Sequence, residues 1–282
     1  MESVLEVLQK AEAYLGRAGI ENPKIDAQWL LAEVLGCKRL ELFLQYERPL
    51  DEEVLQPLRE AVRRRSHGEP LQYVIGYVDF HDIRLSVGPG VLVPRPETEQ
   101  LVERLIPLLK GWEAPRVVDL GAGSGAIALA LAAALPAARI LAVDRSREAL
   151  EQARANAERL GLRERVSFRR GDWLAQLELE ADCIVANPPY LTEEEWEGAR
   201  PEVRRYEPRE ALVAPDGGMA DLKRILAQAP ERLATGGLVA LEMGIEHGAP
   251  LSEEARACGF SEVTVETDDS GRDRFLIARK GS

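Results

Sequence analysis

An alternation of short apolar segments and helical segments in the C-terminal two thirds constrains the fold of this chain most strongly. Seven segments have the length and the β-branched or apolar content of strands: Arg116–Leu120, Arg139–Val143, Val166–Arg169, Cys183–Ala186, Leu238–Glu242, Glu262–Thr267 and Arg274–Ala278. Helical patterns over 125–135 and 147–160 separate the first of them. Repeated β-α-β units predict an α/β fold with a doubly wound, mostly parallel sheet of seven strands.

The N-terminal part has a different pattern. Apolar residues such as Leu5 and Leu8 recur there at helical spacing, and prolines and glycines mark the helix ends. After Gly68 the apolar residues alternate with period two, which is typical of a hairpin. We therefore predict a small all-helical domain of four or five helices over 1–75, a β-hairpin-like linker over 76–97 and a second domain over 98–282, opened by a helix at Thr98.

Charge and cysteine content exclude several classes of protein. The formal net charge of -12 argues against tight binding to a nucleic-acid backbone, which needs clustered Lys and Arg. Cys37, Cys183 and Cys258 are scattered, so neither a disulfide framework nor a metal site is expected. The acidic start of the chain is unlike a secretory signal, and the longest apolar run, 126–135, is too short to cross a membrane. We expect a cytoplasmic protein without a membrane or nucleic-acid partner.

A glycine-rich turn follows the first strand. In VVDLGAGSGAIALALA, Gly121, Gly123 and Gly125 stand between a strand and a helix. Glycine lets a ligand approach the backbone closely, and free N–H groups at a helix start favour an anionic group such as a carboxylate. A tight turn without a ligand would use the same glycines. However, the next strand ends at Asp144, and an acid at this offset can bind the two hydroxyls of a ribose. Together these features predict a nucleoside cofactor.

The glycine spacing indicates which cofactor is expected. A dinucleotide fingerprint has the form Gly-x-Gly-x-x-Gly, and here the third glycine comes one residue early. Asp119, two residues before the first glycine, is not needed for binding a pyrophosphate. The stretch DLGAGSG instead resembles the first motif of class I S-adenosylmethionine-dependent methyltransferases. This resemblance implies S-adenosyl-L-methionine as cofactor and S-adenosyl-L-homocysteine as product.

The same resemblance gives a role to the end of the third strand. In GDW, Asp172 and Trp173 occupy the place where this superfamily typically contacts the adenine. Trp173 can offer a ring face, and Asp172 an acceptor for the exocyclic amine. A tryptophan of the core is the alternative interpretation of Trp173.

The fourth strand leads directly into Asn187, Pro188, Pro189 and Tyr190. Proline fixes φ and restricts the preceding residue to extended geometry, so the Asn187 side-chain oxygen and the Pro188 carbonyl form a preset pair of acceptors. Such a pair fits an NH2 group and can turn its lone pair toward a methyl donor. The reaction is then an in-line displacement that depends on positioning and electrostatics. Tyr190 can pack against the planar group. A rigid exit from the strand is the structural alternative.

Further stretches narrow the family. RRRSHGEPLQYVIGYVDF, LVPRPETEQLVE, VANPPYL, YEPREALVAPDGGMADLKRIL and LVALEMG together are similar to the release factor glutamine methyltransferase family. The resemblance implies methylation of the side-chain nitrogen (N5) of the glutamine in the Gly-Gly-Gln motif of bacterial class 1 peptide-chain release factors. It also implies that the helical domain helps to dock the release factor, and that Arg95, Pro96 and Glu97 lie near the entrance of the active site.

The resemblance also assigns roles to residues of the motifs. Those expected to contact the cofactor are Gly121, Ala122, Gly123, Ser124, Gly125, Asp144, Asp172, Trp173 and Asn187. Those expected to meet the glutamine are Asn187, Pro188, Pro189 and Tyr190, of which Asn187, Pro188 and Tyr190 are the catalytic candidates. No metal ligand is expected.

Other functions share the NPPY motif. The nearest alternative is glutamine methylation of a large-subunit ribosomal protein. Adenine-N6 methylation of DNA is a more distant one, because the chain is acidic and has no evident basic target-recognition domain. A non-catalytic protein that binds S-adenosylmethionine is the alternative outside the enzymes. We also predict that the polar segment 192–210, which follows the motif, is a flap on the substrate side.

Overall fold

The computed structural model describes residues 1–175 and 177–281. These residues form two compact units. The first, here called the helical unit, comprises Met1–Tyr77 and Arg200–Tyr206; the second, the sheet unit, comprises Val78–Ala199 and the described chain from Glu207 onward. In the described part of the chain, no helix is both long and apolar enough to cross a membrane.

Helices dominate the helical unit, as predicted. They are α1 (Val4–Arg17), α2 (Pro23–Leu35), α3 (Glu52–Ser66) and α4 (Leu71–Ile75), with a 3-10 turn at Arg39–Gln45. Two strands of two residues each, β1 (Glu2–Ser3) and β2 (Pro49–Leu50), pair in an antiparallel manner. The sequence did not predict this pair. Helix α4 lies after Gly68, where the alternating pattern begins, and ends just before the predicted hairpin at 76–97.

Local capping fixes where these helices begin and end. The Ser3 hydroxyl accepts the N–H of Glu6, while the Glu6 carboxylate accepts the N–H of Ser3, so two free donors of α1 are satisfied. At α3 the Asp51 carboxylate accepts the N–H of Val54, and Gly36 ends α2 in the left-handed conformation. The apolar faces of α1 to α3 then pack into one core that contains Leu15, among others.

A two-stranded ribbon follows the helical segment. Strands β3 (Tyr77–Phe80) and β4 (Ile83–Ser86) pair with each other across a two-residue connection. His81 in that connection has a positive φ of 51°, and its N–H bonds to the Glu99 side chain at 2.9 Å. The predicted hairpin is therefore present over part of 76–97.

All seven predicted strands of the main sheet are present. They are β5 (Arg116–Leu120), β6 (Arg139–Asp144), β7 (Val166–Arg170), β8 (Ala181–Ala186), β9 (Leu233–Glu242), β10 (Phe260–Thr267) and β11 (Asp273–Lys280). The order across the sheet is β10-β11-β9-β8-β5-β6-β7. Pairs β5–β6, β6–β7, β5–β8 and β8–β9 are parallel, whereas β11 is antiparallel to both of its neighbours. This confirms the predicted mostly parallel, doubly wound fold.

Helices connect the strands, and the longer ones cover the sheet. They are α5 (Pro96–Leu109), α6 (Ala126–Ala134), α7 (Arg147–Arg159), α8 (Glu193–Gly198), α10 (Ala220–Gln228) and α11 (Gly248–Ala257), and α9 (Pro201–Tyr206) belongs to the helical unit. Short 3-10 turns lie at Arg209–Ala211 and Ala229–Glu231. Segment 192–210, predicted as a flap, thus contains two short helices.

The strand side chains alternate between two cores. On one face Val117, Cys183 and Val185 pack with α5 and α6; on the other, Val118 and Ile184 pack with α10 and α11. Strand β8 is buried along its whole length, which explains why its sequence is apolar from Cys183 to Ala186; its one charged residue, Asp182, is paired with Arg116.

Strand order places the motifs together. From β5 the chain adds β6 and β7 on one side, and then returns to place β8 on the other side of β5. Ligands of doubly wound sheets bind outside the carboxyl ends of the strands at such a reversal. The glycine turn after β5 and the NPPY motif after β8 both lie at this point.

Candidate functional site

Hydrogen bonds fold the glycine turn tightly onto the end of β6. The N–H groups of Gly121 and Ala122 both donate to the carbonyl of Val143, at 2.8 and 3.0 Å. Gly121 and Gly123 have positive φ values of 70° and 54°. A Cβ on Gly121 would lie 3.3 Å from Cζ3 of Trp173, whereas the space beside Gly123 is nearly open. The turn therefore leaves its backbone exposed where a ligand can approach.

Asp144 ends β6 beside this turn. Its Oδ2 accepts the N–H of Gly123 at 2.9 Å, and its Oδ1 accepts the N–H of Ser146 at 2.8 Å. Ser146, not Asp144, caps α7, because its hydroxyl accepts the N–H of Ala149. The carboxylate therefore has a structural role at the turn besides its predicted role toward a ribose.

Trp173 forms one wall near the turn. It has a positive φ of 51°, and its indole Nε1 donates to Asp221 at 2.9 Å. Asp172 points to the protein surface, where its carboxylate forms a two-point ion pair with Arg224. A bound adenine would therefore have to share the Asp172 carboxylate with this arginine.

A cleft that is open to solvent lies at this edge of the sheet. Among the predicted residues, those lining it are Gly121, Gly123, Asp144, Asp172, Trp173, Asn187 and Pro189. Ala122, Ser124 and Gly125 are buried behind the turn instead. A Cβ on Gly125 would lie 3.0 Å from Leu129 Cδ1 and 3.2 Å from the Cβ of Ala153, so this glycine allows close packing of helices. The contacts of all these residues with a cofactor stay predictions.

Three of the four NPPY residues line a second, smaller pocket with Arg95, whereas Pro189 lines the cleft. The residues that line this pocket are Leu92, Arg95, Asn187, Pro188, Tyr190, Ala211 and Leu212. Asn187, Leu92 and Ala211 line both this pocket and the cleft. Asn187 therefore borders both cavities.

Sequence reasoning missed the residues behind Asn187 and Tyr190. The Asn187 side-chain NH2 donates to the Thr98 hydroxyl at 3.0 Å, and that hydroxyl donates to Glu242 Oε2 at 2.7 Å. The Tyr190 hydroxyl donates to Glu242 Oε1 at 3.1 Å. An acid directly after the apolar run of β9 was the available signal, since Glu242 ends that strand at the same edge of the sheet.

Burial dominates the electrostatics of this network. Burial raises the pKa of Glu242 to about 7, against the hydrogen bonds from Thr98 and Tyr190 and the nearby charge of Arg274. Burial also raises the pKa of Tyr190, and the adjacent carboxylate adds to this effect. Tyr190 therefore stays a neutral hydrogen-bond donor at physiological pH.

A second ion pair borders the small pocket. Arg95 donates to both carboxylate oxygens of Glu207, at 2.8 and 2.7 Å, and Glu207 is almost fully buried. The predicted entrance segment is thus fixed to the end of segment 192–210. Over residues 1–175 and 177–281, no three or more His, Cys, Asp or Glu side chains are grouped so that they could hold a metal ion.

Two models of known protein families match this chain, one in its N-terminal part and one in the part that contains the motifs. A model described as the PrmC N-terminal domain matches residues 6–76, and one described as the methyltransferase small domain matches residues 97–200. A protein of Chlorobaculum tepidum called release factor glutamine methyltransferase is 39% identical over 97% of this chain and 96% of its own length. Another of that name, from Deinococcus radiodurans, is 38% identical and covers 98% of each chain.

Solved structures support the fold assignment. The hMettl16 catalytic domain has a TM-score of 0.56 at 20% identity and covers 82% of each chain. A methyltransferase from Pyrococcus furiosus has a TM-score of 0.51 at 21% identity, over 70% of this chain and 89% of its own. At this level of identity, the similarity concerns the class I methyltransferase fold alone.

Proposed function

This chain belongs to the release factor glutamine methyltransferase family, and from that premise we propose that it transfers a methyl group from S-adenosyl-L-methionine to a release factor glutamine. The acceptor is the side-chain N5 of the glutamine in the Gly-Gly-Gln motif of bacterial class 1 release factors. The helical unit contributes to docking of that protein, in the cytoplasm, where translation takes place.

The cleft suits the proposed cofactor chemically. Gly123 leaves room for close approach to the backbone, and a Cβ would fill that room. Asp144 lies beside it as an acceptor for ribose hydroxyls, and Trp173 supplies an aromatic wall. When bound, S-adenosylmethionine supplies an electrophilic methyl group on a sulfonium. No metal is needed for this chemistry.

The residues of the small pocket act on the glutamine side. An amide nitrogen is a poor nucleophile, because its lone pair is delocalised into the carbonyl. The Asn187 side-chain oxygen and the Pro188 carbonyl accept its two N–H groups and so favour a pyramidal nitrogen. Tyr190 limits rotation of the amide plane. Each of these contributions depends on preorganised geometry.

The position of Asn187, which lines both cavities, is the observation that carries this proposal. A binding protein without activity would not need a hydrogen-bonding residue shared by the cofactor cleft and a second pocket. The net charge of -12 also favours a protein substrate over DNA.

Methyl transfer to defined substrates tests the proposal. The purified chain is incubated with labelled S-adenosylmethionine and a class 1 release factor, a large-subunit ribosomal protein fraction or DNA. We expect label in the release factor alone, and peptide mass spectrometry should locate one added methyl group on the glutamine of Gly-Gly-Gln. Label in the ribosomal protein or in DNA would identify the alternative substrate, and no label in any of them would overturn the enzymatic function.

A further inference from the structure

Three hydrogen bonds join the NPPY motif to one buried carboxylate. They run from Asn187 to Thr98, from Thr98 to Glu242 and from Tyr190 to Glu242, with lengths between 2.7 and 3.1 Å. Glu242 is fully buried, and Thr98 is 4% exposed. Water is thus excluded from the centre of the network, and its groups must satisfy one another.

The number of hydrogens in the network determines its direction. An ionised carboxylate can only accept hydrogen bonds, and a threonine hydroxyl has a single hydrogen to donate. Because Thr98 gives this hydrogen to Glu242, its oxygen can only accept from Asn187. The NH2 of Asn187 must therefore face Thr98, and its carbonyl oxygen must face the other way.

We propose that Thr98 and Glu242 are positioning residues that hold the Asn187 amide with its oxygen, rather than its NH2, toward the substrate. This rests on the proposed function, in which that oxygen accepts an N–H of the glutamine. With the amide turned by half a revolution, Asn187 would present N–H donors to the donors of the substrate. The direction of the hydrogen bonds thus decides whether Asn187 attracts or repels the nucleophile.

The same carboxylate fixes Tyr190. Its second oxygen accepts the phenol hydrogen, so the ring is tied to the same group as the asparagine. A single anion at the end of β9 therefore positions two residues that follow β8. Neighbouring strands β8 and β9 are parallel, which brings their carboxyl ends to one edge.

Ionisation of Glu242 is a condition for this arrangement. The positive charge of Arg274 favours the carboxylate, whereas Glu97 and burial oppose it. Arg274 itself lies 3.6 Å from the buried carboxylate of Asp268, so its charge is shared. With the pKa of Glu242 at about 7, acidification adds a hydrogen to one of its oxygens. Either Thr98 or Tyr190 must then reverse its hydroxyl.

Substitutions at Thr98 test the direction directly. Thr98→Val keeps the shape and removes the hydroxyl, whereas Thr98→Ser keeps the hydroxyl. In single-turnover methyl transfer to a release factor with saturating cofactor, we expect a loss of about 10- to 100-fold for Thr98→Val and less than about threefold for Thr98→Ser. Affinity for S-adenosylhomocysteine should stay within about twofold in both, because Thr98 does not line the cleft.

A buried hydroxyl elsewhere in the sheet unit provides the matched control. Ser252 is 8% exposed and donates to the Gly248 carbonyl within α11, away from both cavities. Ser252→Ala should leave methyl transfer unchanged. An equal loss in Ser252→Ala and Thr98→Val would indicate a general effect of removing a buried hydroxyl, and would overturn the positioning role.

The pH profile gives a second readout that a purely structural role would not change. The wild-type single-turnover rate should fall as the pH drops below about 7, with a slope of about tenfold per pH unit. Glu242→Gln removes this titration, so its lower rate should be flat over the same range. A variant profile with the wild-type slope would overturn the assignment to Glu242.

A measurement without substrate separates this inference from the proposed function. The side-chain NH2 resonances of Asn187, assigned by nuclear magnetic resonance through the loss of signals in Asn187→Ala, should change in Thr98→Val and persist in Thr98→Ser. If they do not respond to Thr98→Val, the network is wrong even if the enzyme is active. If the wild type methylates no release factor, the proposed function fails while these resonances still decide the network.

Discussion

The Asp144 carboxylate bonds to the Gly123 N–H across 2.9 Å, so the acid that ends β6 holds the turn that follows β5. Strands β5 and β6 are parallel neighbours, and this side chain bridges their carboxyl ends. The glycine turn and the Asp144 side chain therefore form one hydrogen-bonded unit, and a ligand could contact both. Changing Asp144 should alter both the direct contact and the shape of the turn.

Asp144→Ala should weaken binding of S-adenosylhomocysteine by about 1.5–3 kcal/mol, through loss of a charged acceptor for the ribose hydroxyls. Asp144→Asn is the matched variant, because one oxygen remains available for the Gly123 N–H. It should bind more tightly than the alanine variant and less tightly than the wild type. Calorimetric titration measures all three, and equal affinities would show that Asp144 does not contact the cofactor.

Asn187→Ala should lower the turnover of methyl transfer by about 10²- to 10³-fold, because one of two preorganised acceptors is lost. The contribution of the acceptor grows in the transition state, since the N–H groups become more acidic as the nitrogen attacks. Cofactor affinity should change much less. Single-turnover kinetics at saturating cofactor decide the point, and near-normal transfer would mean that the motif only shapes the loop.

An arginine in the helical unit holds α9. Arg65 donates to Asp26 at 2.6 Å and pairs with Glu202 of α9 at 2.7 Å, and its side chain is almost fully buried. Burial raises the pKa of Asp26, and the hydrogen bond from Arg65 offsets this effect. Removing the arginine would leave a buried carboxylate without its cation, which is among the most costly changes in a protein.

Arg65→Met should therefore lower the free energy of unfolding by about 3 kcal/mol. Arg63, in the same helix, pairs with Glu60, and both side chains are more than half exposed. Arg63→Met should leave the free energy of unfolding nearly unchanged, because an exposed ion pair contributes little to stability. Urea unfolding of the full chain measures both. Limited proteolysis should show faster cleavage within 192–210 in the Arg65 variant, and an equal rate in both variants would mean that this arginine does not hold the segment.

A buried acid behind the glycine turn makes stability depend on pH. Burial raises the pKa of Asp119 to about 7; one oxygen accepts the N–H of Ala128 at 3.0 Å, and the other has no protein hydrogen-bond partner. A pKa raised in the folded state means that the stabilising, protonated form is lost as the pH rises through about 7. The wild type therefore carries a costly buried charge above that pH.

Asp119→Asn removes this charge while keeping the shape. The difference in free energy of unfolding, variant minus wild type, should increase by about 1–3 kcal/mol as the pH rises from about 5 to about 8. Thermal or urea unfolding at several pH values measures the free energy of unfolding of both proteins. Other titrating groups contribute equally to both, so their effects cancel in the difference. A difference that is constant with pH would show that Asp119 ionises in the folded protein as it does in the unfolded chain.

Sequence reasoning located the strands because their apolar runs are short and bounded by turn residues. The predicted strand Leu238–Glu242 covers only the second half of β9, which begins at Leu233 and contains Gly236 and Gly237. In the structure these glycines lie at an irregularity in the register with β8. Local patterns cannot show that a neighbouring strand continues to pair across such a point.

The candidate site was predictable where one short stretch contains the whole signal. Asp144 ends β6, and Gly121 and Asn187 directly follow β5 and β8, each within a recognisable motif. Thr98 and Glu242 are 144 residues apart, and neither belongs to a motif with an evident chemistry. Their contact depends on how α5 packs over the sheet, which no spacing in the sequence indicates.

Two adjacent glycines in the stretch APDGGMADL offer a final, internally controlled test of how Tyr190 is positioned. Gly217 and Gly218 have positive φ values of 62° and 83°, so alanine is strained at both, at about 1 kcal/mol each. The surroundings differ: a Cβ on Gly217 would meet nothing within 4 Å, whereas one on Gly218 would overlap the Tyr190 carbonyl oxygen and lie 2.8 Å from its carbon. Gly218→Ala must therefore displace Tyr190, and a shift of about 1 Å can cost about 10²-fold in rate.

We expect methyl transfer to fall at least about tenfold in Gly218→Ala and to stay near the wild-type rate in Gly217→Ala, with thermal unfolding measured alongside. If the two variants lose activity equally, the strained turn, and not the contact with Tyr190, explains why glycine stands at position 218.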